Sequence, residues 1–355
     1  MILRTPLYDA HVAAGARMVP FGGWDMPLHY GSQIVEHQAV RSGAGVFDVS
    51  HMTIVDIDGP QARHFLQTLV ANDVGKLGAV GQALYGALLN AEGGIIDDLT
   101  VYRTEPGFRA VVNASTRDKV LAWFEVNRQP GANWRERKDL ANLAVQGPMA
   151  VAKVIELCGI QGLANLPGFH ALMHGEWMIG RTGYTGEDGV EIMLPNIEAV
   201  YLFQRLLASG VQAAGLAARD TLRLEAGLNL YGQDMTEANH PYESRIGWTV
   251  ALEPADRNFI GRARLESLRQ NYTQKLTGMV FTGKGVVRHD FKVQTNAGEG
   301  VVTSGVFSPT LECSIALVRV PRDARGDCEV EIRGKWLPAK LVQPPFVKKG
   351  QVNNP

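Results

Sequence analysis

Two adjacent carboxylates sit inside a glycine-led, β-branched run: Gly93-Gly94-Ile95-Ile96-Asp97-Asp98-Leu99-Thr100-Val101-Tyr102-Arg103. Acidic side chains are depleted from strands, so the pair demands a reason. Successive side chains in a strand point to opposite faces. One face then carries Ile95, Asp97, Leu99 and Val101 and reads as core. The other carries Ile96, Asp98, Thr100 and Tyr102, an amphipathic set suited to the wall of a cleft. On this reading Asp98 points at a ligand. Asp97 turns to the core side, where a turn or backbone donor satisfies it. A second reading stays open locally: both acids cap the turn made by the glycines, since structural networks also hold acids in such places.

The flanking pattern is an α+β module with an antiparallel sheet. A helix over 61–70 carries Phe65, Leu66 and Leu69 on one face. Strands follow over 83–89, 95–103 and 108–113, then a helix over 117–127 that Ser115 or Thr116 can cap. Upstream, the spacing predicts a short helix within 5–15, an irregular stretch over 18–30 and a helix over 33–42 closed by Gly43. Alternating residues over 45–57 predict a strand pair, or a strand after a turn, with His51 and Met52 between. Downstream come a strand over 140–145, strands within 173–191, helices over 201–209 and 218–228, and a linking helix over 263–271. From Lys275 onward the chain is strand and turn, rich in Val and Gly, and reads as a separate all-β domain. A length of 355 residues fits two or three domains.

Composition narrows the function by exclusion. Formal net charge is −1, so no global field recruits nucleic acid or a membrane surface. The cysteines, Cys158, Cys313 and Cys328, are odd in number and form no CxxC pair. That argues against a disulfide framework and a structural zinc site, and a reducing cytoplasm is expected. No apolar leader opens the chain, and no run approaches the roughly 18 apolar residues of a membrane span. There is no P-loop, GxSxG elbow, HExxH or EF-hand loop, and no metal site is expected. The antiparallel pattern does not supply the βα units of a Rossmann domain.

Two further stretches carry chemistry. In 181–192, glycines recur at every third position and Glu187-Asp188-Gly189 signals a turn. Tyr184 lies on one arm. Glu191 alternates with Val190 and Ile192, so it faces away from their core. Its carboxylate can accept two parallel hydrogen bonds from a flat ring that carries an amino group beside a ring N–H, as a pterin does. The competing reading is a solvated hairpin carboxylate. In 215–235, Arg219 stands at a helix entry, where the macrodipole favours acids. It needs an anionic partner, either internal (Asp220 or Glu225, the simpler local choice) or a ligand carboxylate. Arg223 fits an i,i+4 surface pair equally well. His51 reads as a hydrogen-bonded core histidine, Trp24 and Trp248 as core or rim aromatics, and Arg135-Glu136-Arg137-Lys138 as a solvated face. Cys313 has no neighbour that marks an activated thiol.

Taken together these stretches resemble the T protein, or aminomethyltransferase, family of the glycine cleavage system over nearly the whole chain. The resemblance is carried by 45–52, 93–99, 181–191, 218–235 and 303–311, in one order. It implies three domains in a ring, with tetrahydrofolate in the central hole: residues 1–50 with 139–260 (α+β), 51–138 (ferredoxin-like α+β), and 272–355 (an all-β barrel or jelly-roll-like domain). It implies a reaction in which a lipoylated H protein delivers an S-aminomethyl group, folate takes the methylene unit, and ammonia leaves. By resemblance Asp98 matches the essential aspartate beside the folate's reactive nitrogens. Glu191 matches the pterin-binding carboxylate, and Tyr184 and Asn113 line that pocket. Met52, Tyr85 and Tyr102 match the cavity wall, Arg219 an arginine near the folate, and Trp248 an aromatic beside the cavity. Arg288 matches an arginine near the folate tail or the lipoyl entrance. A monomer is expected, with no nucleic acid or membrane partner. Two alternatives share the scaffold: another folate-dependent methyltransferase or demethylase, and a non-enzymatic folate-binding protein. The Lys-Gly-Cys-Tyr motif of the iron–sulfur maintenance relatives is absent, because Leu228, Asn229 and Leu230 precede Tyr231.

Overall fold

The computed structural model describes residues 2–353. Three of the five sheets among the described residues organise the chain. The first is a six-stranded sheet in the order 171–174, 177–180, 189–195, 140–146, 45–48, 212–213. Its pairs are antiparallel except the last, which is parallel. Helices Ala150–Cys158 and Asn196–Ala208 cover one face, around Val145, Ile192 and Phe203. Helices Gln33–Ser42 and Leu216–Glu225 lie on the other, where Val40, Ala218 and Leu222 meet Phe47 and Ala144. Helix 33–42 starts at Ser32, whose side chain accepts from the Val35 N–H, and ends at Gly43 as expected.

The second system is a five-stranded antiparallel sheet in the order 83–89, 95–103, 108–112, 53–58, 133–136. Helices Ala62–Leu69 and Arg117–Val126 cover one face, and Phe65, Leu66, Leu69, Leu99, Val101 and Phe124 form the core between. Without strand 83–89 this is a split βαββαβ arrangement, and 83–89 adds an edge strand beside the acidic one. The third system, over 274–342, is a closed six-stranded barrel with its own core of Met279, Phe281, Val302 and Val318.

Three local readings are corrected. Residues 18–30 are not irregular: Arg17–Phe21 and Trp24–His29 form a hairpin, turned by Gly22 and Gly23 at φ of +56° and +86°. Strands 45–48 and 53–58 do not pair, and belong to different sheets, so residues 49–52 carry the chain from one sheet to the other. The acidic strand also holds a bulge. Asp97 pairs with Leu88 and Ile95 with Leu89, which leaves Ile96 as the extra residue. Ile95 therefore joins Ala87 and Leu89 on the Asp98 side, and Ile96 joins Leu99 and Val101 in the core. From Asp97 onward the alternation holds. Among the described residues, no helix is long and apolar enough to cross a membrane.

Candidate functional site

Asp97 is fully buried on the helix-covered face and accepts from the Asn113 backbone N–H (3.1 Å) and from Asn113 Nδ2 (2.8 Å). Asp98, on the opposite face, accepts from Tyr85 Oη (2.9 Å) and Asn113 Nδ2 (2.8 Å). One amide thus spans both acids and locks their faces apart. Burial, then the charge of Asp98, pushes the Asp97 carboxyl up to about 7. Burial also raises Asp98, against the hydrogen bonds from Tyr85 and Asn113. Neither acid has a cation partner among the described residues, so neutral donors alone hold the Asp98 carboxylate. Tyr85 stacks on the largely exposed Trp248, with centroids 6.1 Å apart and planes at 27°.

Electrostatic neighbours tie the remaining residues to this wall. Burial and then the Asp98 charge raise Tyr85, and Tyr184 weighs on it as well. Tyr184 donates its hydroxyl to the Asn229 carbonyl, and the Arg219 guanidinium lies over its ring at 4.5 Å. The Arg219 side chain has no ion pair or hydrogen bond among the described residues, and burial lowers its pKa. Glu191 lies on strand 189–195 and accepts one bond, from Thr182 Oγ1 at 2.5 Å to Oε2. Its Oε1 has no partner among the described residues. Met52 is half-buried against Val40, Phe47 and Ala144. Tyr184, near both Asp98 and Arg219, and Arg219, near Glu191, link a desolvated acid, a carboxylate with one free oxygen and a cation without an ion pair among the described residues.

The comparisons with known proteins agree with one another. The GCVT N-terminal domain model matches residues 7–254, and the glycine cleavage T-protein C-terminal barrel domain model matches 274–348. The chain belongs to this aminomethyltransferase family. It is 52% identical over 357 residues to an aminomethyltransferase from Chromobacterium violaceum, covering 98% of each chain. It is 53% identical to one from Alcanivorax borkumensis, covering 99% of this chain and 98% of the relative. A crystal structure of the glycine cleavage system aminomethyltransferase T from Bartonella henselae matches at a TM-score of 0.93 and 35% identity, over 99% of this chain and 100% of that one.

Against this family background, several local readings change. Arg219 has no acidic partner among the described residues: Asp220 pairs with Arg223 at 2.8 Å, and Glu225 pairs with Arg41 at 2.7 Å. Arg223 is not a surface residue, since it is 1% exposed and also reaches Asp234 (2.8 Å) and Ser304 (2.9 Å). His51 is buried, but Nδ1 has no partner among the described residues. Burial and the nearby Arg219 charge hold its pKa down at about 4, so the ring is neutral near pH 7. Arg137 and Glu136 are not simply solvated, for they pair with Asp56 and Arg117, each at 2.6 Å. Arg288 is exposed in the C-terminal barrel domain and makes no side-chain hydrogen bond or ion pair among the described residues. Cys158, Cys313 and Cys328 are free, and burial pushes the Cys313 thiol up, with the Glu225 charge adding to it.

Two contributors escaped the sequence reading. Thr182 is a lone threonine in a glycine-rich turn and carries no pattern of its own. The flanking Gly180 and Gly183 were its signal: a Cβ at Gly180 would lie 2.8 Å from Tyr102 Oη, and one at Gly183 1.9 Å from Gln146 Oε1. Gln146 ends strand Leu140–Gln146 and carries no motif that marks it. It donates to the Thr182 carbonyl at 3.1 Å and accepts from Thr185 Oγ1 at 2.9 Å, which pins the turn.

Proposed function

We propose that this aminomethyltransferase passes a methylene unit from an aminomethylated lipoyl H protein to tetrahydrofolate, with release of ammonia. The observation that carries the substrate assignment is the Glu191 carboxylate, whose Oε1 has no partner among the described residues and which stands near the Arg219 charge. The lining fits the folate by its donor and acceptor set. Glu191 accepts from the amino and N–H edge of the pterin, and Arg219 meets an anionic or carbonyl group of the tail. Tetrahydrofolate supplies the nucleophilic nitrogen. Asp98 holds or accepts the proton at that nitrogen and offsets the positive charge that develops there. Its buried setting, with no competing cation, strengthens both effects. Met52, Tyr85, Tyr102, Asn113, Tyr184 and Trp248 shape the wall, and Arg288 serves the entrance. We assign the three sheet systems to three domains, 1–50 with 139–260, 51–138, and 272–355.

The deciding experiment is a reconstituted assay with tetrahydrofolate and loaded H protein, which reads ammonia and methylenetetrahydrofolate together. Folate binding without either product would leave a binding protein or another folate-dependent transferase. Glu191→Gln is expected to weaken tetrahydrofolate binding by about ten- to a hundredfold, the range for losing a charge-assisted hydrogen bond. Unchanged affinity in a titration would remove the pterin role.

A further inference from the structure

The hydroxyls between the two sheets form a directed chain. Tyr102 Oη and Thr182 Oγ1 are 2.8 Å apart, and Thr182 Oγ1 is 2.5 Å from Glu191 Oε2. Thr182 has one hydroxyl proton, and a carboxylate oxygen only accepts. That proton therefore goes to Glu191, and Tyr102 must donate to Thr182. Burial, and then the Glu191 charge, raises the Tyr102 pKa, so its hydroxyl keeps the proton it donates. Tyr102 is fully buried, and a phenol so placed needs a partner. Gly180 makes room for it, since any Cβ there would meet the phenol at 2.8 Å. Gln146 holds the Thr182 backbone from the other side.

The chain joins two elements that do different work. Glu191 and Thr182 belong to the six-stranded sheet and its turn. Tyr102 lies on strand Ile95–Arg103, on the same face as Asp98. The spacing of these two residues along an extended strand is roughly 13 Å. The strand that carries the acid thus also grips the carboxylate assigned to the ring.

We propose that Thr182 is a positioning residue for folate recognition. It turns Glu191 so that Oε1 and the second lone pair of Oε2 face the ligand, and through Tyr102 it sets that edge in register with Asp98. The inference rests on the reading of Glu191 as the ring acceptor. A valine isostere at 182 keeps the shape but leaves Glu191 free to rotate and the Tyr102 phenol without an acceptor.

The test compares Thr182→Val, Thr182→Ser, Tyr102→Phe and Glu191→Gln in the full chain, by tetrahydrofolate titration and by kinetics with folate varied. Thr182→Val is expected to raise both Kd and KM for tetrahydrofolate by about tenfold, with far less change in kcat. Thr182→Ser should restore both, and Tyr102→Phe should move them in the same direction by less. The double variant Thr182→Val with Glu191→Gln should bind no worse than Glu191→Gln alone, because Thr182 acts through that carboxylate. If Glu191→Gln weakens binding and Thr182→Val does not, the positioning role is wrong and the pterin reading stands. Failed rescue by serine, or additive losses in the double variant, also overturns it, since either means a packing effect. If Glu191→Gln itself leaves binding unchanged, the pterin reading fails and the inference with it.

Discussion

Replacing Asp98 by asparagine is expected to cut kcat by about a hundredfold to ten-thousandfold, with far less change in tetrahydrofolate affinity. Asparagine keeps the shape and one acceptor oxygen for Tyr85 or Asn113, so the wall stays in place. It removes the proton acceptor and the negative charge. Asp97→Asn is the control, because that acid is sealed on the core face and bonded to Asn113. If Asp97→Asn proves the more damaging change, with folding and folate binding intact, the two faces have been assigned the wrong way round. The pH profile gives a second reading of the same residue. In the proposed role Asp98 acts ionised, and burial raises its pKa. Activity is therefore lost as pH falls through a value above the ordinary carboxylate range. Asp97 is raised too, to about 7, by burial and then by the charge of Asp98, so the two carboxyls titrate as a pair. The acid limb of kcat/KM should sit above pH 4, roughly the ordinary carboxylate value, and should vanish in Asp98→Asn.

Local patterns were legible where one element met one face. The alternation that set Asp98 apart from Asp97 survived, because the pairing from Asp97 to Tyr102 is regular. It failed at Ile95 and Ile96, since a bulge depends on the partner strand and leaves no mark in the bulged one. The hairpin 17–29 was hidden by Pro20 and Pro27, which lie in its strands and break the expected run. Charge pairing was the least legible. The nearest acids in sequence were offered to Arg219, yet Asp220 is taken by Arg223. Glu225 is taken by Arg41, which lies on the first long helix and is remote in sequence. Only the assembled sheets show that Arg219 is left over. The same holds for Thr182, whose partners come from two different strands.

Those remote pairs underlie the largest stability effect. Glu225 is fully buried at the end of helix Leu216–Glu225 and gathers donors from both sides of a junction. From helix 33–42 come Arg41 Nη2 at 2.7 Å and His37 Nε2 at 3.3 Å. From the barrel side come Ser308 Oγ at 2.5 Å, Thr310 Oγ1 at 2.9 Å and the Thr310 backbone N–H at 3.2 Å. Burial alone raises a carboxyl, but the hydrogen bond and charge of His37, the charge of Arg41 and the Ser308 bond outweigh it and hold Glu225 at about 2. A carboxyl with a depressed pKa adds stability that is complete above its unfolded value and is lost as pH falls through the folded one. Glu225→Gln keeps the volume but turns an amide N–H₂ toward donors and leaves Arg41 without that partner. The expected cost is about 3–5 kcal/mol, the range for breaking a buried pair from one side. Chemical denaturation at pH 7 should show it as an earlier loss of the barrel's seat on helix 216–225. Between pH 4.5 and about 2 the parent should lose stability more steeply than the variant, which has no carboxylate to protonate there. Equal midpoints at pH 7 and equal acid slopes would mean that apolar contacts, such as those of Leu224 with Ile315 and Phe346, hold the barrel in place without the charge cluster.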